Sequence, residues 1–186
     1  VYLQKCFFEN KSSSQKLLTD AVESMAKVGS WQYTVLTDEL YFSPEVYKIY
    51  ALAANTKINT TQAIAHYAGE KEQARINQLF KRLQTLGLPY CEDFEFVDAK
   101  GRKKWVRTSG QPVFDINNDL TAVQGAFEDV TLEYELKAKV EDKNNRLEAI
   151  LDNLNDAVIT INQKGVIVHC NKTALTMFGY DDNEML

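Results

Sequence analysis

Hydrophobic positions recur along this chain with two different periods, and the switches between them mark its elements. In SSSQKLLTDAVESMAKVG, Leu17, Leu18, Ala21, Val22, Met25 and Val28 fall three and four residues apart behind a serine cluster. That is the pattern of a capped amphipathic helix, which Gly29 ends. Alternation follows: Trp31 and Tyr33 share one face of a strand, Thr37-Asp38 turns the chain, and Leu40 and Phe42 share one face of a second strand. A β-hairpin is predicted. Ser43-Pro44-Glu45 then opens a short helix whose buried stripe is Val46, Ile49 and Tyr50. Residues 60–86 are helical in pattern, with Ile64 and Tyr67 before a break at Gly69 and Ala74, Ile76, Leu79, Phe80, Leu83 and Leu86 after it; Gly87 and Pro89 end the run. From Tyr90 the period is two again. Phe94/Phe96 and Trp105/Arg107 flank a Lys100-Gly101 turn, and AVQGAFEDV makes a last strand after the turn at Asn117-Asn118-Asp119.

Two strands, helices, then three strands predict an α+β domain: a five-stranded antiparallel sheet whose one apolar face is covered by the helices. Residues 131–154 contain no Gly or Pro and fit a heptad, with Leu136, Lys143 and Ile150 at one seam position and Val140, Leu147 and Leu154 at the other. Lys143 weakens that seam. The chain then repeats itself: an ungapped offset of 128 residues (171 − 43) carries Ser43 onto Asn171, Trp31 onto Ile159, Tyr33 onto Ile161 and Leu40 onto Val168. The expected organisation is an N-terminal amphipathic helix and linker over 1–28, a domain over 29–131, a coiled-coil-like linker over 132–154, and the truncated start of a second copy over 155–186. Ile159, Ile161 and Val168 of that second copy then lack the closing strands that would cover them, and a partner surface is expected to do so.

Composition narrows the function. Hydrophobic residues at 45% suffice for a core, and a net charge of −5 offers no basic field to phosphate backbones, so nucleic acid is not an expected partner. Cys6, Cys91 and Cys170 lie far apart without Cys-x-x-Cys spacing, so neither a zinc site nor a disulfide framework is indicated. No apolar run approaches the ~20 residues that span a bilayer, and no signal peptide opens the chain. A cytoplasmic location is expected, either free or as the cytoplasmic part of a membrane-anchored receptor.

Gly29-Ser30-Trp31, ELYFSPEVYKIY, HYAGEKEQARI, LPYCEDFEFVDAKGRKKWVRTSGQPVF and GAFEDVT, in this order over residues 25–131, resemble PAS domains of the Gly-x-Trp subclass. Phe42 stands where a Trp is common, and Val130 stands for Ile in the family's closing Asp-Ile-Thr. The tail from Asn155, with Asn171 at the helix cap and Phe178-Gly179-Tyr180, resembles the start of a second PAS domain. The resemblance implies a central cavity for a small molecule or cofactor, or a dimerisation role. It also implies a downstream effector outside this chain, a cyclic-di-GMP synthase or phosphodiesterase or a histidine kinase, as in bacterial sensory-box signalling proteins.

Candidate ligand-binding residues are Trp31, Tyr33, Phe42, Tyr47, Phe94 and Phe127, which would bound a mostly apolar pocket between the sheet and residues 44–86. Each also serves as ordinary core. The cofactor stays unassigned. His66, the one histidine of the complete domain, does not by itself establish a haem site, and the absence of cysteine from residues 60–86 excludes a covalent flavin adduct while leaving non-covalent flavin open. Glu92, Asp93 and Glu95 lack any nucleophile, phosphate loop or metal cluster beside them, so no catalytic residue and no metal site is expected. Asp129 and Thr131 are candidate relay residues, with Thr131 capping the linker helix and Asp129 pairing with Arg107 of the neighbouring strand. A homodimer through the flanking helices, residues 15–28 and 131–154, completes the expectation.

Overall fold

The computed structural model describes residues 23–179. Leu17, Leu18, Ala21 and Val22 of the expected N-terminal helix, together with Cys6 and Tyr180, lie outside them. Residues 23–26 are helical, but Val28 is not: Lys27 adopts φ 55°, turns the chain, and Val28 opens the first strand. The described elements are β1 (Val28–Thr34), β2 (Glu39–Phe42), α1 (Pro44–Tyr50), α2 (Thr60–Ile64), α3 (Gly69–Leu86), β3 (Tyr90–Val97), β4 (Lys103–Phe114), β5 (Leu120–Asp129) and α4 (Thr131–Asp152), followed by β6 (Ile159–Ile161), β7 (Ile167–Cys170) and α5 (Lys172–Phe178). No helix among the described residues is long and apolar enough to cross a membrane.

β2-β1-β5-β4-β3 form one antiparallel sheet, as the alternating segments predict. Trp31, Tyr33, Phe42, Phe94, Phe96, Val106, Val123 and Phe127 project from its inner face and share one buried cluster with Val46, Ile49 and Tyr50 of α1, Ala63 of α2, and Ile76 and Leu83 of α3. Gly29 is what lets α1 lie against β1, because a Cβ there would stand 2.5 Å from Val46 Cγ2 and 2.7 Å from Val46 N. Ser43 occupies the cap position of α1, yet its hydroxyl does not bond the helix. It accepts from the Ser30 amide instead (3.0 Å), while the Ser43 amide donates to the Ser30 carbonyl (2.8 Å). The helix is thereby tied to the strand rather than capped.

The β4–β5 ladder opens between the pairs Thr108↔Phe127 and Gln111↔Gln124. There the Ser109 carbonyl turns into the space that a side chain at position 125 would occupy, and Gly125 is required because any Cβ would overlap that oxygen. Side chains complete the pairing: Ser109 Oγ accepts from the Ala126 amide (3.2 Å), and Trp31 Nε1 donates to the Ala126 carbonyl (3.3 Å).

Residues from Glu133 form a separate compact unit. The 128-residue offset holds at the level of elements: it carries β2 onto β7, α1 onto α5, and the left-handed residue ending α1, Ala51 (φ 57°), onto Gly179 (φ 75°). Asn171 repeats the role of Ser43, its side-chain oxygen accepting from Val158 N (2.8 Å) and its amide donating to Val158 O (3.0 Å). It also accepts from Ala174 N (3.0 Å) and donates to Leu151 O (2.8 Å) and Asp156 O (2.9 Å), which accounts for its complete burial. Ile159, Ile161, Val168, Met177 and Phe178 are exposed.

Two stability measurements follow from this fold. Gly125→Ala should lower unfolding free energy by about 2–4 kcal/mol, since the clash is with backbone that cannot swing away; a urea midpoint unchanged from wild type would refute the close approach. Asp98, buried in the β3–β4 turn, is pushed up by desolvation, but bonds from the Arg102 backbone and side chain and from the Lys100 amide outweigh that and hold its carboxyl below 3.8. Its contribution is therefore present above that ordinary value and is lost as pH falls through the lower folded one. Urea melts from pH 7 to pH 2 should show an acid limb that Asp98→Asn flattens.

Candidate functional site

A cavity of about 50 Å³ lies between the inner face of the sheet and α1 to α3. Its apolar wall is Trp31 of β1, Leu40 and Phe42 of β2, Ala63 and Ile64 of α2, Ile76 and Phe80 of α3, and Phe127 of β5. Ring contacts make that wall continuous, with centroids 6.2 Å apart for Trp31 and Phe80, 5.1 Å for Phe42 and Tyr50, and 5.2 Å for Tyr50 and Phe127. Its polar atoms come from Tyr50, Tyr67, Tyr90, Thr60 and Thr108. Thr108 projects inward from β4 and lines the cavity together with Tyr67 and Tyr90. Burial pushes the Tyr90 phenol up to about 12 and the Tyr67 and Tyr50 phenols up as well, Thr108 pulling the other way at Tyr67 and Tyr90. The three phenols stay neutral at physiological pH. No Asp, Glu, Lys, Arg or His is among the lining residues.

Of the six residues expected to bound a pocket, Trp31, Phe42 and Phe127 line this cavity and Tyr33, Tyr47 and Phe94 do not. Tyr33, one inward position beyond Trp31, packs edge-on against Phe80 (5.4 Å), and its hydroxyl donates to Asp38 (2.9 Å). Tyr47 packs edge-on against Phe42 (5.8 Å) and donates to the Thr56 carbonyl (3.1 Å). Phe94 is fully buried against Tyr67 (5.1 Å), with the Arg75 guanidinium 4.0 Å from its ring centre. The hydroxyl cluster was missed, although strand alternation offers a signal for it: if Trp105 and Arg107 face outward, Val106 and Thr108 face the core, and a threonine there needs a partner.

The residues present do not fit haem or flavin. A buried water needs ~10–15 Å³ of such space, so about 50 Å³ holds a few waters and neither a macrocycle nor a three-ring system. His66 is not among the lining residues; its Nδ1 lies 2.8 Å from the Val97 carbonyl and its ring stacks on Phe96 (5.6 Å). Among the described residues no group of His, Cys, Asp or Glu could hold a metal ion. Glu92 pairs with Arg75 (2.8 Å) and Asp93 with Arg107 (2.7 Å).

At the exit of the sheet, Asp129 pairs with Lys104 (2.9 Å) and not with Arg107 as expected. The register explains the correction. Val106 lies opposite Asp129 and Arg107 opposite Glu128, so Lys104 and Asp129 share the inward side of β4 and β5 while Arg107 takes the outer side. Arg107 forks onto Asp93 there (2.7 and 2.9 Å). Burial raises the Asp129 carboxyl, but bonds from Thr131 and Lys104 prevail and hold it below its ordinary range. Thr131 N and Oγ both donate to Asp129 Oδ1 (3.1 and 2.5 Å), and Thr131 Oγ accepts from Trp105 N (3.1 Å), which roots α4 in β4 and β5. Lys104 Nζ also donates to the Ile49 carbonyl of α1 (3.0 Å), next to the cavity residue Tyr50.

Comparison with known proteins agrees with this geometry. A family model described as PAS fold matches residues 39–127, and one described as PAS domain matches residues 145–186. Hybrid signal transduction histidine kinase I of Dictyostelium discoideum is 24% identical over 166 residues, 86% of this chain and 9% of that protein. Sensor protein FixL of Bradyrhizobium diazoefficiens is 20% identical over 159 residues, 86% of this chain and 31% of that protein. The chain thus spans less than a third of the length of either relative. The solved N-terminal domain of a diguanylate cyclase with PAS/PAC sensor from Marinobacter aquaeolei superposes with a TM-score of 0.53 at 16% identity, covering 57% of this chain and 98% of that one, a likeness of fold. The five-stranded sheet, its covering helices and the two family matches together make this chain a member of the PAS family, carrying a PAS sensor domain of the kind found in signal-transduction proteins.

Proposed function

We propose that the chain is a sensory module that binds a small molecule in the cavity and passes its occupancy through β5 and α4 to an effector, such as a histidine kinase or an enzyme of cyclic-di-GMP turnover. The observation that carries this reading is the short path from cavity to helix. Phe127 lines the cavity, Asp129 follows it on the same side of β5, and Asp129 holds both the first residue of α4 and the lysine that reaches α1. A guest that displaced α1 or β5 would load the Lys104–Asp129–Thr131 contacts. Catalysis has no part in this role.

Amide hydrogen exchange tests the relay. Ala63→Val, which adds bulk to the cavity wall, should change protection of residues 131–136 by about threefold or more, the scale of a fraction of a kcal/mol in local opening. Lys104→Met should abolish that response while leaving the sheet amides protected. Unchanged exchange at 131–136 in Ala63→Val would sink the relay.

A second reading, a dimerisation scaffold, is favoured by the surface of α4. Leu132, Leu136, Val140, Leu147 and Ile150 are all more than half exposed, a stripe wider than a lone helix leaves in water. Paired copies of α4 would cover it. Sedimentation should then find a dimer at micromolar concentration, and Leu136→Glu with Val140→Glu should weaken it about tenfold or more. A monomeric wild type would exclude this arrangement.

A further inference from the structure

We infer that Trp31 reads the occupancy of the cavity and reports it on the outer face of the sheet, by keeping or releasing the bond from its indole N–H to the Ala126 carbonyl in the gap between β4 and β5. The inference rests on the sensory reading above and names the device by which that site is read.

Three observations meet at this residue. The first is position. Trp31 lines the cavity and also an open groove whose wall includes Ser30, Gln32, Tyr41 and Gln124. Those four alternate along their strands with the inward Trp31, Tyr33, Phe42 and Val123, so the groove lies on the outer face. Its floor is the gap itself: Ser109, Gly110, Gly125 and Ala126, between the pairs Thr108↔Phe127 and Gln111↔Gln124. The second observation is bonding. Ala126 has no partner residue in β4, and side chains stand in for the ladder: its amide donates to Ser109 Oγ (3.2 Å) and its carbonyl accepts from Trp31 Nε1 (3.3 Å). The usual range for such a bond is about 2.7–3.2 Å, so a small shift of the ring ends this one. The third is what holds the ring. Phe80 of α3 packs on the indole, with centroids 6.2 Å apart, and Phe42 lies opposite Trp31 in β2; both line the cavity. A guest that displaces Phe80 or presses on the indole therefore acts on the Ala126 bond. Once released, that carbonyl is an unmet acceptor beside an interrupted ladder, and it is satisfied by movement of β4 and β5 or by water entering from the groove.

The test is hydrogen exchange followed by NMR on the 186-residue chain, read at the Trp31 indole N–H, at the Ala126 amide and, as a control away from the gap, at the Phe94 amide. Ala63→Val, which adds bulk to the cavity wall from α2, should speed exchange at the indole and at Ala126 by about threefold or more, with Phe94 unchanged. Trp31→Phe keeps a ring on the wall and loses the N–H. It should speed exchange at Ala126 by itself, and adding Ala63→Val to it should change that amide by less than about twofold further, because the coupling is gone. Should Trp31→Phe not fold, Phe80→Leu, which removes the ring packed on the indole, should speed the indole and Ala126 together. An indole or Ala126 amide that exchanges at the wild-type rate in Ala63→Val, a rise equal at Phe94, an Ala126 response that survives in the Trp31→Phe background, or an indole that loosens in Phe80→Leu without Ala126 would each overturn the inference. Failure of the sensory reading looks different: the indole and Ala126 would respond as expected, with no change in exchange at residues 131–136.

Discussion

In both hairpin-and-helix units of this chain, the residue at the helix cap position bonds the strand before it. Ser43 exchanges two hydrogen bonds with Ser30, and Asn171 exchanges the corresponding two with Val158. The rest of the sensor domain depends on that tie. It turns α1 back over β1 at a spacing that Gly29 permits, so Tyr50 comes to lie over Phe42, Phe96 and Phe127. Without it the inner aromatic face of the sheet would have no roof over β1 and β2. Asn171 does more than Ser43 because an amide offers donors that a hydroxyl lacks, and these reach the Leu151 and Asp156 carbonyls.

The roof leaves a small space, and the residues around it set what the space can hold. Aromatic side chains make up seven of its thirteen lining residues, and the inward Thr108 lines it together with two of the phenols, Tyr67 and Tyr90. No ionised side chain is among the lining residues. The family matches and the relative named as a histidine kinase place the domain among signalling proteins, whereas the make-up of the cavity wall is particular to these side chains.

The contacts at the end of the sheet are also decided by side-chain parity. Asp129 and Lys104 lie on the inward side of adjacent strands, where Lys104 touches the end of α1 and Asp129 receives the start of α4. One ion pair therefore joins four elements. Arg107, a single residue away from the right parity, serves the outer face with Asp93 and Glu128.

Hydrophobic period alone determined the order of elements, the antiparallel one-faced sheet and the repeat at 128 residues, because each records a local backbone geometry that side chains must match along their own segment. Trp31, Phe42 and Phe127 were legible as pocket residues for the same reason: they are large and lie on inward positions. Register and packing decided the remainder. Whether Tyr50 or Tyr47 faced the space depended on how α1 rolled on β1, whether Lys104 or Arg107 met Asp129 depended on the pairing of β4 with β5, and Phe94 was closed off by Arg75 and Tyr67 from elsewhere in the chain. Those are contacts between segments far apart in sequence, and no periodicity within one segment encodes them.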